Sequence, residues 1–142
     1  MAKQVNLTFI DPKRADVRYH LEQLKPAFNG SDCAKSEWLE MVERVQTGSA
    51  ALYQAKADDV LLRFVGRVID GTYHINAIAG HGLRQTAPVI IERCLAMGYT
   101  AISYNTYRAG MGRILLGFGF ELDKQLSQIE SRYLLNLGGV YG

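Results

Sequence analysis

His74 and Asn76 stand two positions apart in the segment TYHINAIA, so a strand here would project both side chains from one face. A histidine titrates near neutral pH and can accept a proton from a nucleophile, and a neighbouring amide can hold a water molecule. The pair could therefore act as a general base with its water-holding partner. The alternative is a solvated sheet face that also carries Arg63 and Arg67.

Tyr104 and Tyr107 flank Asn105 where another predicted strand ends. A phenol in this position can donate a proton to a leaving group. A tyrosine at the end of a strand can equally pack with its ring buried and its hydroxyl in water. Asn105 is either part of a site or simply a turn former, because asparagine tolerates left-handed backbone geometry.

The segment IAGHGLRQT, residues 78–86, has the composition of a phosphate-binding turn. Gly80 and Gly82 can adopt tight backbone geometry, and Thr86 is predicted to cap a helix with Arg84 close by. Amide groups at a helix start, with the partial positive charge of the helix dipole, suit an anion. Pro88 falls in the first turn of that predicted helix and would remove one amide donor. The alternative is an ordinary strand-to-helix turn that contains glycines.

Other common chemistries lack support in the sequence. There is no cluster at metal-ligand spacing, no Ser-His-Asp order, no P-loop and no dinucleotide fingerprint. Cys33 and Cys94 lie far apart without a CxxC motif, which predicts reduced thiols. Sixteen basic and fourteen acidic residues leave a formal net charge of +2 that is spread along the chain. We therefore expect neither a metal site nor a nucleic-acid partner.

The length of 142 residues, with 48% apolar and 10% aromatic residues, fits one domain over residues 1–142. The N-terminal segment MAKQVNLTFI has no apolar stretch long enough for a signal peptide, and no run approaches the roughly 18 residues of a membrane span. These observations predict a soluble, cytoplasmic protein without a membrane partner.

Hydrophobic periodicity and turn residues predict a mixed α/β fold in the order β-α-α-β-β-β-α-β-α-β-β. The first helix has its apolar positions between residues 17 and 28 and ends at Pro26. The second begins at Ser36 and ends before Gly48, and the third ends at Gly98. This order implies a sheet with both parallel and antiparallel pairs and with helices on both faces. Strands are predicted at 5–10, 50–57, 60–69, 72–79, 99–104, 120–124 and 129–137, and the fourth helix at 111–118.

Asp70-Gly71 is the signature of a two-residue type I′ hairpin and fixes the register of the strands around it. The predicted pairs are Ile69–Thr72, Arg67–His74, Val65–Asn76 and Arg63–Ile78. Simple alternation then places one set of side chains on the same face, namely Phe64, Val68, Tyr73, Ile75 and Ala77. The opposite face carries Arg63, Arg67, His74 and Asn76.

The stretch Gly98 to Leu122, GYTAISYNTYRAGMGRILLGFGFEL, resembles the GNAT superfamily of N-acetyltransferases, as does the order of elements over the whole chain. A fifth strand leads into a turn with Asn105, then into the helix Met111–Phe118 and the pair Gly119-Phe120. The resemblance implies that acetyl-CoA enters a gap between the fourth and fifth strands, here Tyr73–Ala79 and Tyr99–Tyr104, with its pyrophosphate on the loop before the third helix.

On this resemblance the active site combines predicted catalytic groups with a segment that holds acetyl-CoA. The catalytic candidates are His74, Asn76, Tyr104 and Tyr107, with either tyrosine as proton donor to the leaving thiolate. The residues that would hold acetyl-CoA are Ile78, Ala79, Gly80, Gly82, Leu83, Arg84, Gln85, Thr86 and Asn105.

The sequence departs from the family at two motifs. The pyrophosphate signature Arg/Gln-x-x-Gly-x-Gly/Ala is absent, and Leu115 occupies the position of the family's helix tyrosine. Two functions remain open. One is an acetyl-CoA-dependent N-acetyltransferase that acts by direct transfer on an unknown amine of a small molecule or protein. The other is a catalytically inactive binding or structural protein with a protein partner or a homo-oligomeric state, similar to the small GNAT-like proteins of bacteriophages.

Overall fold

The computed structural model describes residues 4–138. Residues 1–3, part of the N-terminal segment considered above for a signal peptide, and residues 139–142 lie outside the described part. The observed elements follow the predicted order. They are β1 (Asn6–Ile10), α1 (Val17–Glu22), a 3₁₀ helix (Lys25–Phe28), α2 (Ala34–Thr47), β2 (Ala51–Ala57), β3 (Val60–Ile69), β4 (Thr72–His81), α3 (Leu83–Ala96), β5 (Ala101–Thr106), α4 (Ala109–Gly117), β6 (Glu121–Gln125) and β7 (Ser131–Asn136).

The strands form one mixed sheet in the order β1-β2-β3-β4-β5-β7-β6. β4 and β5 pair in parallel, and the other neighbours are antiparallel. Both faces are covered, as predicted. The face under α1 and α2, called the α1/α2 face, buries Leu21, Trp38, Met41 and Val65. The opposite α3/α4 face buries Phe64, Ile90, Ile102 and Leu115.

Trp38 joins the two helices of the α1/α2 face. Its indole N–H donates a buried hydrogen bond of 2.9 Å to the carbonyl of Leu21 in α1. The charged groups of Arg18 and Lys25 lie 5.1 Å and 4.7 Å from the centre of the indole ring. Trp38 therefore fixes α2 against α1 and the 3₁₀ helix through packing, a hydrogen bond and two cation–π contacts.

Two predicted helix ends were wrong by two to four residues. α2 begins at Ala34 rather than Ser36, after Cys33, whose amide donates to the hydroxyl of Ser31. α1 ends at Glu22, and Pro26 lies in the first turn of the 3₁₀ helix instead of ending α1, because its fixed φ suits that position. Gly48 ends α2 in a left-handed conformation, as predicted. Within residues 4–138 no helix is long and apolar enough to cross a membrane.

The hairpin between β3 and β4 is confirmed, but its predicted register holds only next to the turn. Asp70 and Gly71 have φ values of 49° and 81°, as a type I′ turn requires. Ile69 pairs with Thr72 and Arg67 with His74, but Val65 pairs with Ala77 and Arg63 with Ala79.

Asn76 is the extra residue of a β-bulge, which the simple alternation could not contain. The bulge moves every later residue of β4 to the opposite side from the predicted one. Ala77 therefore packs on the α1/α2 face with Val65, while Ile75 and Ile78 pack on the α3/α4 face. The prediction that Ala77 shares a face with Ile75 was wrong for this reason.

Candidate functional site

β4 and β5 separate at the bulge. Their parallel pairing runs from Thr72–Ala101 to Ile75–Tyr104 and stops there, although β4 continues to His81. The predicted gap along Tyr73–Ala79 is therefore shorter than expected, because its first residues pair with β5. The gap starts at Asn76, where the edge of β4 that faces β5 leaves the ladder.

A polar pocket of about 170 Å³ lies on the α1/α2 face beside the start of this gap. It collects four predicted site residues from two strands: His74 and Asn76 from β4, Asn105 and Tyr107 from the end of β5. Its other lining residues come mainly from α2, the 3₁₀ helix and β3, and they are Ala27, Phe28, Glu37, Glu40, Met41, Arg44, Arg67 and Glu130. We call this the polar pocket.

His74 is held on the wall of the polar pocket by a 2.8 Å hydrogen bond between its Nδ1 and the hydroxyl of Ser103 in β5. Burial is the largest of the causes that together lower the pKa of His74 to about 4, and the positive charges of Arg67, Arg132 and Arg44 follow in that order. The imidazole is therefore neutral at pH 7 and a weak base. The solvated-face interpretation was wrong, because α2 and the 3₁₀ helix cover this part of the sheet.

Arg63 was predicted to share a solvated face with His74, and it instead lies buried under α1. Its Nε donates to Nδ1 of His20 at 2.9 Å, and Nε2 of His20 lies 3.1 Å from a carboxylate oxygen of Asp16. This chain of polar contacts ties β3 to α1. It lies apart from the residues that line the polar pocket.

Two residues that line the polar pocket each have a buried side-chain atom without a hydrogen-bond partner among the described residues. These atoms are Nε of Arg67, a donor, and Oδ1 of Asn76, an acceptor. A buried polar atom left without a partner costs about 1–3 kcal/mol. Such atoms are candidates for ligand contacts, because a bound molecule can supply the missing partner.

Tyr107 and Asn105 line the polar pocket, and the side chain of each forms a hydrogen bond with another residue. The Tyr107 hydroxyl donates a 2.6 Å hydrogen bond to Oε2 of Glu37, and the Ser31 hydroxyl donates to the other oxygen of that carboxylate. Burial and the Glu37 carboxylate both raise the pKa of Tyr107 well above its ordinary value. Asn105 accepts a 3.3 Å hydrogen bond from Nε of Arg132.

Tyr104 does not join the other predicted catalytic residues. It lies on the α3/α4 face, directly across from Tyr133 of β7, and is almost completely buried. Burial raises the pKa of its phenol to about 12. The odd and even positions of β5 therefore divide the two candidate tyrosines between opposite faces of the sheet.

α3 starts at Leu83, with Gly82 in a left-handed conformation as its N-cap, and not at Thr86 as predicted. The amide of Thr86 donates to the carbonyl of Gly82 at 3.0 Å, and the buried Thr86 hydroxyl donates to the same oxygen at 2.8 Å. The amide and the hydroxyl of Thr86 therefore both donate within the first turn of α3. The amides of Leu83, Arg84 and Gln85 precede the first intrahelical bond.

The expectation for Pro88 was also wrong. Because α3 begins at Leu83, Pro88 lies more than a turn inside the helix and removes none of the amides at its start. Gly80 and Gly82 are required by packing on β3. A Cβ at Gly80 would collide with the carbonyl of Leu61, and one at Gly82 with the side chain of Val60.

The α3/α4 side of the gap is apolar. Ile78 and Leu83, two predicted cofactor residues, line a cavity of about 30 Å³ together with Tyr104 and Leu115. Ala79, by contrast, packs on the α1/α2 face, and Arg84 and Gln85 are exposed at the start of α3. Across residues 4–138, no group of three or more histidine, cysteine or acidic residues could hold a metal ion.

The α2 residues of the polar pocket were not predicted to belong to a site. Glu37, Glu40 and Arg44 recur at intervals of three and four, which puts them on one stripe of a helix. That spacing was a usable signal. It could not indicate which element the stripe faces.

Several solved structures with a similar arrangement of elements are named as acetyltransferases. The chain superposes with a TM-score of 0.66 on the IAA acetyltransferase of Bacillus cereus, at 15% identity over 94% of this chain and 100% of that one. The TM-score is also 0.66 for the PaiA N-acetyltransferase of Thermoplasma acidophilum in complex with coenzyme A, at 10% identity over 94% and 99% of the two chains. For YncA of Salmonella typhimurium with acetyl-CoA it is 0.63, at 16% identity over 97% and 96%. The chain has the GNAT fold.

The resemblance in sequence is much weaker than the likeness in structure. No family model matches the chain, and no curated protein matches it significantly. The likeness to these structures therefore lies in the arrangement of the helices and strands. The identities of individual residues contribute little to the match.

Proposed function

We propose that this protein transfers an acetyl group from acetyl-CoA to an amine bound in the polar pocket. The observation that carries the proposal is the separation of β4 and β5 at Asn76. It leaves an open strand edge that has the start of α3 at one end and the polar pocket at the other. A two-substrate reaction needs such a meeting point.

The residues around the gap fit acetyl-CoA. The β4 backbone over residues 76–81 offers hydrogen-bonding groups along an unpaired edge, and Ile78 and Leu83 offer apolar contact. The amides of Leu83, Arg84 and Gln85 suit the pyrophosphate, since a helix start favours anions. When bound, acetyl-CoA supplies a thioester whose carbonyl carbon is open to attack and whose sulfur can leave.

The polar pocket can favour the neutral form of the amine without a strong base. An ordinary lysine-like amine with a pKa of about 10.4 is neutral in about one molecule in 2,500 at pH 7. The three arginines that lower the pKa of His74 would also lower the pKa of an amine bound beside it, against the opposite effect of the pocket glutamates. Asn76 Oδ1 can accept a hydrogen bond from this amine and so orient its lone pair.

The reaction then balances with few protein groups. A bond forms between the amine nitrogen and the acetyl carbon, and the bond from that carbon to sulfur breaks. One amine proton passes to water held by His74 and Asn76, and the sulfur leaves as a thiolate that takes a proton from solvent. Tyr107 is a poor proton donor, because the Glu37 carboxylate holds its proton.

Leu115 supports a second candidate function, a GNAT-fold protein that binds a partner without catalysis. In the resemblance stated above, this helix position carries a tyrosine that protonates the leaving group. Here it is a buried leucine beside an apolar cavity. On this alternative the gap binds no acetyl-CoA, which the following experiment tests.

Acetyl-CoA should stabilise the protein if the gap is a cofactor site. At roughly 100 times Kd, one-site linkage adds about 2.7 kcal/mol, and we expect the thermal midpoint to rise by roughly 5–15 °C. Desulfo-CoA should act nearly as well and adenosine much less. Arg84→Ala should reduce the rise, while Arg113→Ala on the exposed side of α4 should leave it unchanged. No rise at millimolar acetyl-CoA would exclude the acetyltransferase and favour the binding protein.

A further inference from the structure

The polar pocket contains two arginines, and the charges that act on Arg67 are those of the second, Arg44, and of Glu40. Neither Arg67 nor Arg44 forms a salt bridge with a described residue, and Nε of Arg67 is buried with no hydrogen-bond acceptor. Arg44 and Glu40 are four residues apart on α2, a spacing at which oppositely charged side chains often pair. They both line the pocket without pairing.

Positive charges from three elements, β3, β7 and α2, act on His74 at the wall of the pocket. These charges are the guanidinium groups of Arg67, Arg132 and Arg44. Arg132 is engaged by Asn105 at 3.3 Å. The donors available to a ligand are therefore those of Arg67 and Arg44, and the acceptors are Oδ1 of Asn76 on the neighbouring bulge and the carboxylates of Glu40 and Glu130.

We propose that the acceptor is a small zwitterion of the amino-acid class, with its carboxylate on Arg67 and Arg44 and its amine on Asn76. This inference rests on the proposed acetyl transfer for its chemical meaning, although the binding it describes can be measured alone. A guanidinium fork matches a carboxylate in shape and charge. One ligand of this class would provide partners for both orphaned atoms.

The volume and the charged residues of the polar pocket limit which zwitterions it can bind. A cavity of about 150 Å³ accommodates benzene, so a pocket of about 170 Å³ suits a small molecule and not an extended chain. Glu37, Glu40 and Glu130 also line the pocket and would oppose a phosphate dianion more strongly than a carboxylate. We therefore infer a free amino acid in preference to a phosphorylated amine.

Calorimetric titration of the free protein tests the assignment with matched probes. The probes are glycine, L-alanine, L-serine, L-methionine and L-glutamate, each compared with its primary amide, which keeps the amine and loses the carboxylate. We expect at least one amino acid to bind about 10- to 100-fold more tightly than its amide, as for a charge-assisted contact. No preference for the acid in any pair, including no binding at all, would overturn the proposal.

Variants of Arg67 and Arg44 test which side chains give the preference for the amino acid over its amide. Arg67→Met and Arg44→Met should each reduce it to about twofold, whereas Arg113→Met on α4 should keep it. Arg44 lies on the surface of α2, so its variant remains informative if Arg67→Met fails to fold. A full preference in Arg44→Met and in a folded Arg67→Met would place the carboxylate elsewhere and contradict the assignment.

Measuring the release of the CoA thiol from acetyl-CoA distinguishes a failure of the zwitterion site from a failure of the proposed acetyl transfer. Acid-selective binding without thiol release for any probe would remove the acetyl transfer and keep the zwitterion site. Thiol release at equal kcat/KM for acids and amides would keep the transfer and remove the zwitterion site.

Discussion

The two faces of the sheet are built from alternate residues of the same strands, yet they differ in how they treat polar groups. On the α3/α4 face, packing is apolar up to the edge of the gap, and even Tyr104 is buried among hydrophobic side chains. On the α1/α2 face, a hydrophobic cluster under α1 and α2 borders a pocket that contains buried atoms without partners.

This contrast indicates that the α3/α4 face mainly stabilises the fold and that the polar pocket on the α1/α2 face is the functional site. A protein gains stability by pairing or removing buried polar atoms, so their survival on one face points to a ligand there. Substitutions on the α3/α4 face should mainly change the free energy of unfolding. Substitutions in the polar pocket should mainly change activity, and the predictions below test this difference.

The largest expected effect on stability is at Leu115. Leu115 is 7% exposed, whereas its neighbour Leu116 is 54% exposed. Leu115→Ala should lower the free energy of unfolding by about 2–5 kcal/mol, because it removes buried methyl groups beside an existing cavity. Leu116→Ala is the matched control and should change it by less than about 1 kcal/mol. Urea unfolding measures both, and equal losses would show that this face is not packed as described.

His74 should make stability depend on pH. Its pKa in the folded protein, about 4, lies below the ordinary 6.5, so the unfolded chain takes up the proton first. The stabilisation is complete above pH 6.5 and is lost as the pH falls toward 4, a change of up to about 3 kcal/mol. Urea unfolding at pH 7.5 and 4.5 should show this loss in the wild type and much less of it in His74→Asn.

The exposed His81 at the end of β4 is the control, and His81→Asn should retain the wild-type pH dependence. Arg67, Arg44, Arg132, Glu37, Glu40 and Glu130 are the other charged groups around or lining the pocket. Asp16, whose pKa the Arg14 guanidinium lowers to about 2, acts below this pH range. A wild-type pH dependence in His74→Asn would assign the effect to another group.

We expect the smallest change in the free energy of unfolding at Asn76, where a substitution should also cause a large loss of activity. Asn76→Ala removes a buried acceptor without a partner, so the free energy of unfolding should stay within about 1 kcal/mol of wild type or rise. The kcat/KM of acetyl transfer should fall by about 10- to 100-fold if Oδ1 holds the amine. The exposed Asn29→Ala is the control. Unchanged kcat/KM in Asn76→Ala would remove this residue from the site.

Local signals predicted the strands and the order of elements well. Asp70-Gly71 fixed the hairpin because only a few residues accept two successive positive φ values, and the pairs next to the turn followed from it. The bulge could not be predicted in the same way. Asn76 carries no backbone signal that distinguishes it from a regular strand residue, so the register beyond Gly66 was lost.

The candidate site was predictable only where it lies on β4 and β5. Alternation placed His74 beside Asn76, and the end of β5 brought Asn105 and Tyr107 to the same pocket. Arg44 and the glutamates of α2 enter through the packing of that helix on the sheet, which is a tertiary property. The start of α3 was misplaced because Thr86 has the chemistry of an N-cap, while Gly82 turns the chain one turn earlier.

Trp38 gives this molecule an optical property of its own. It is the single tryptophan of the chain, and its indole lies buried where α2 meets α1 and the 3₁₀ helix. The fluorescence of the indole therefore reports on the contact between α1, α2 and the 3₁₀ helix, of which the last two form the roof of the polar pocket. A red shift in that emission while the circular dichroism of the sheet is unchanged would identify opening of the roof as a step separate from global unfolding.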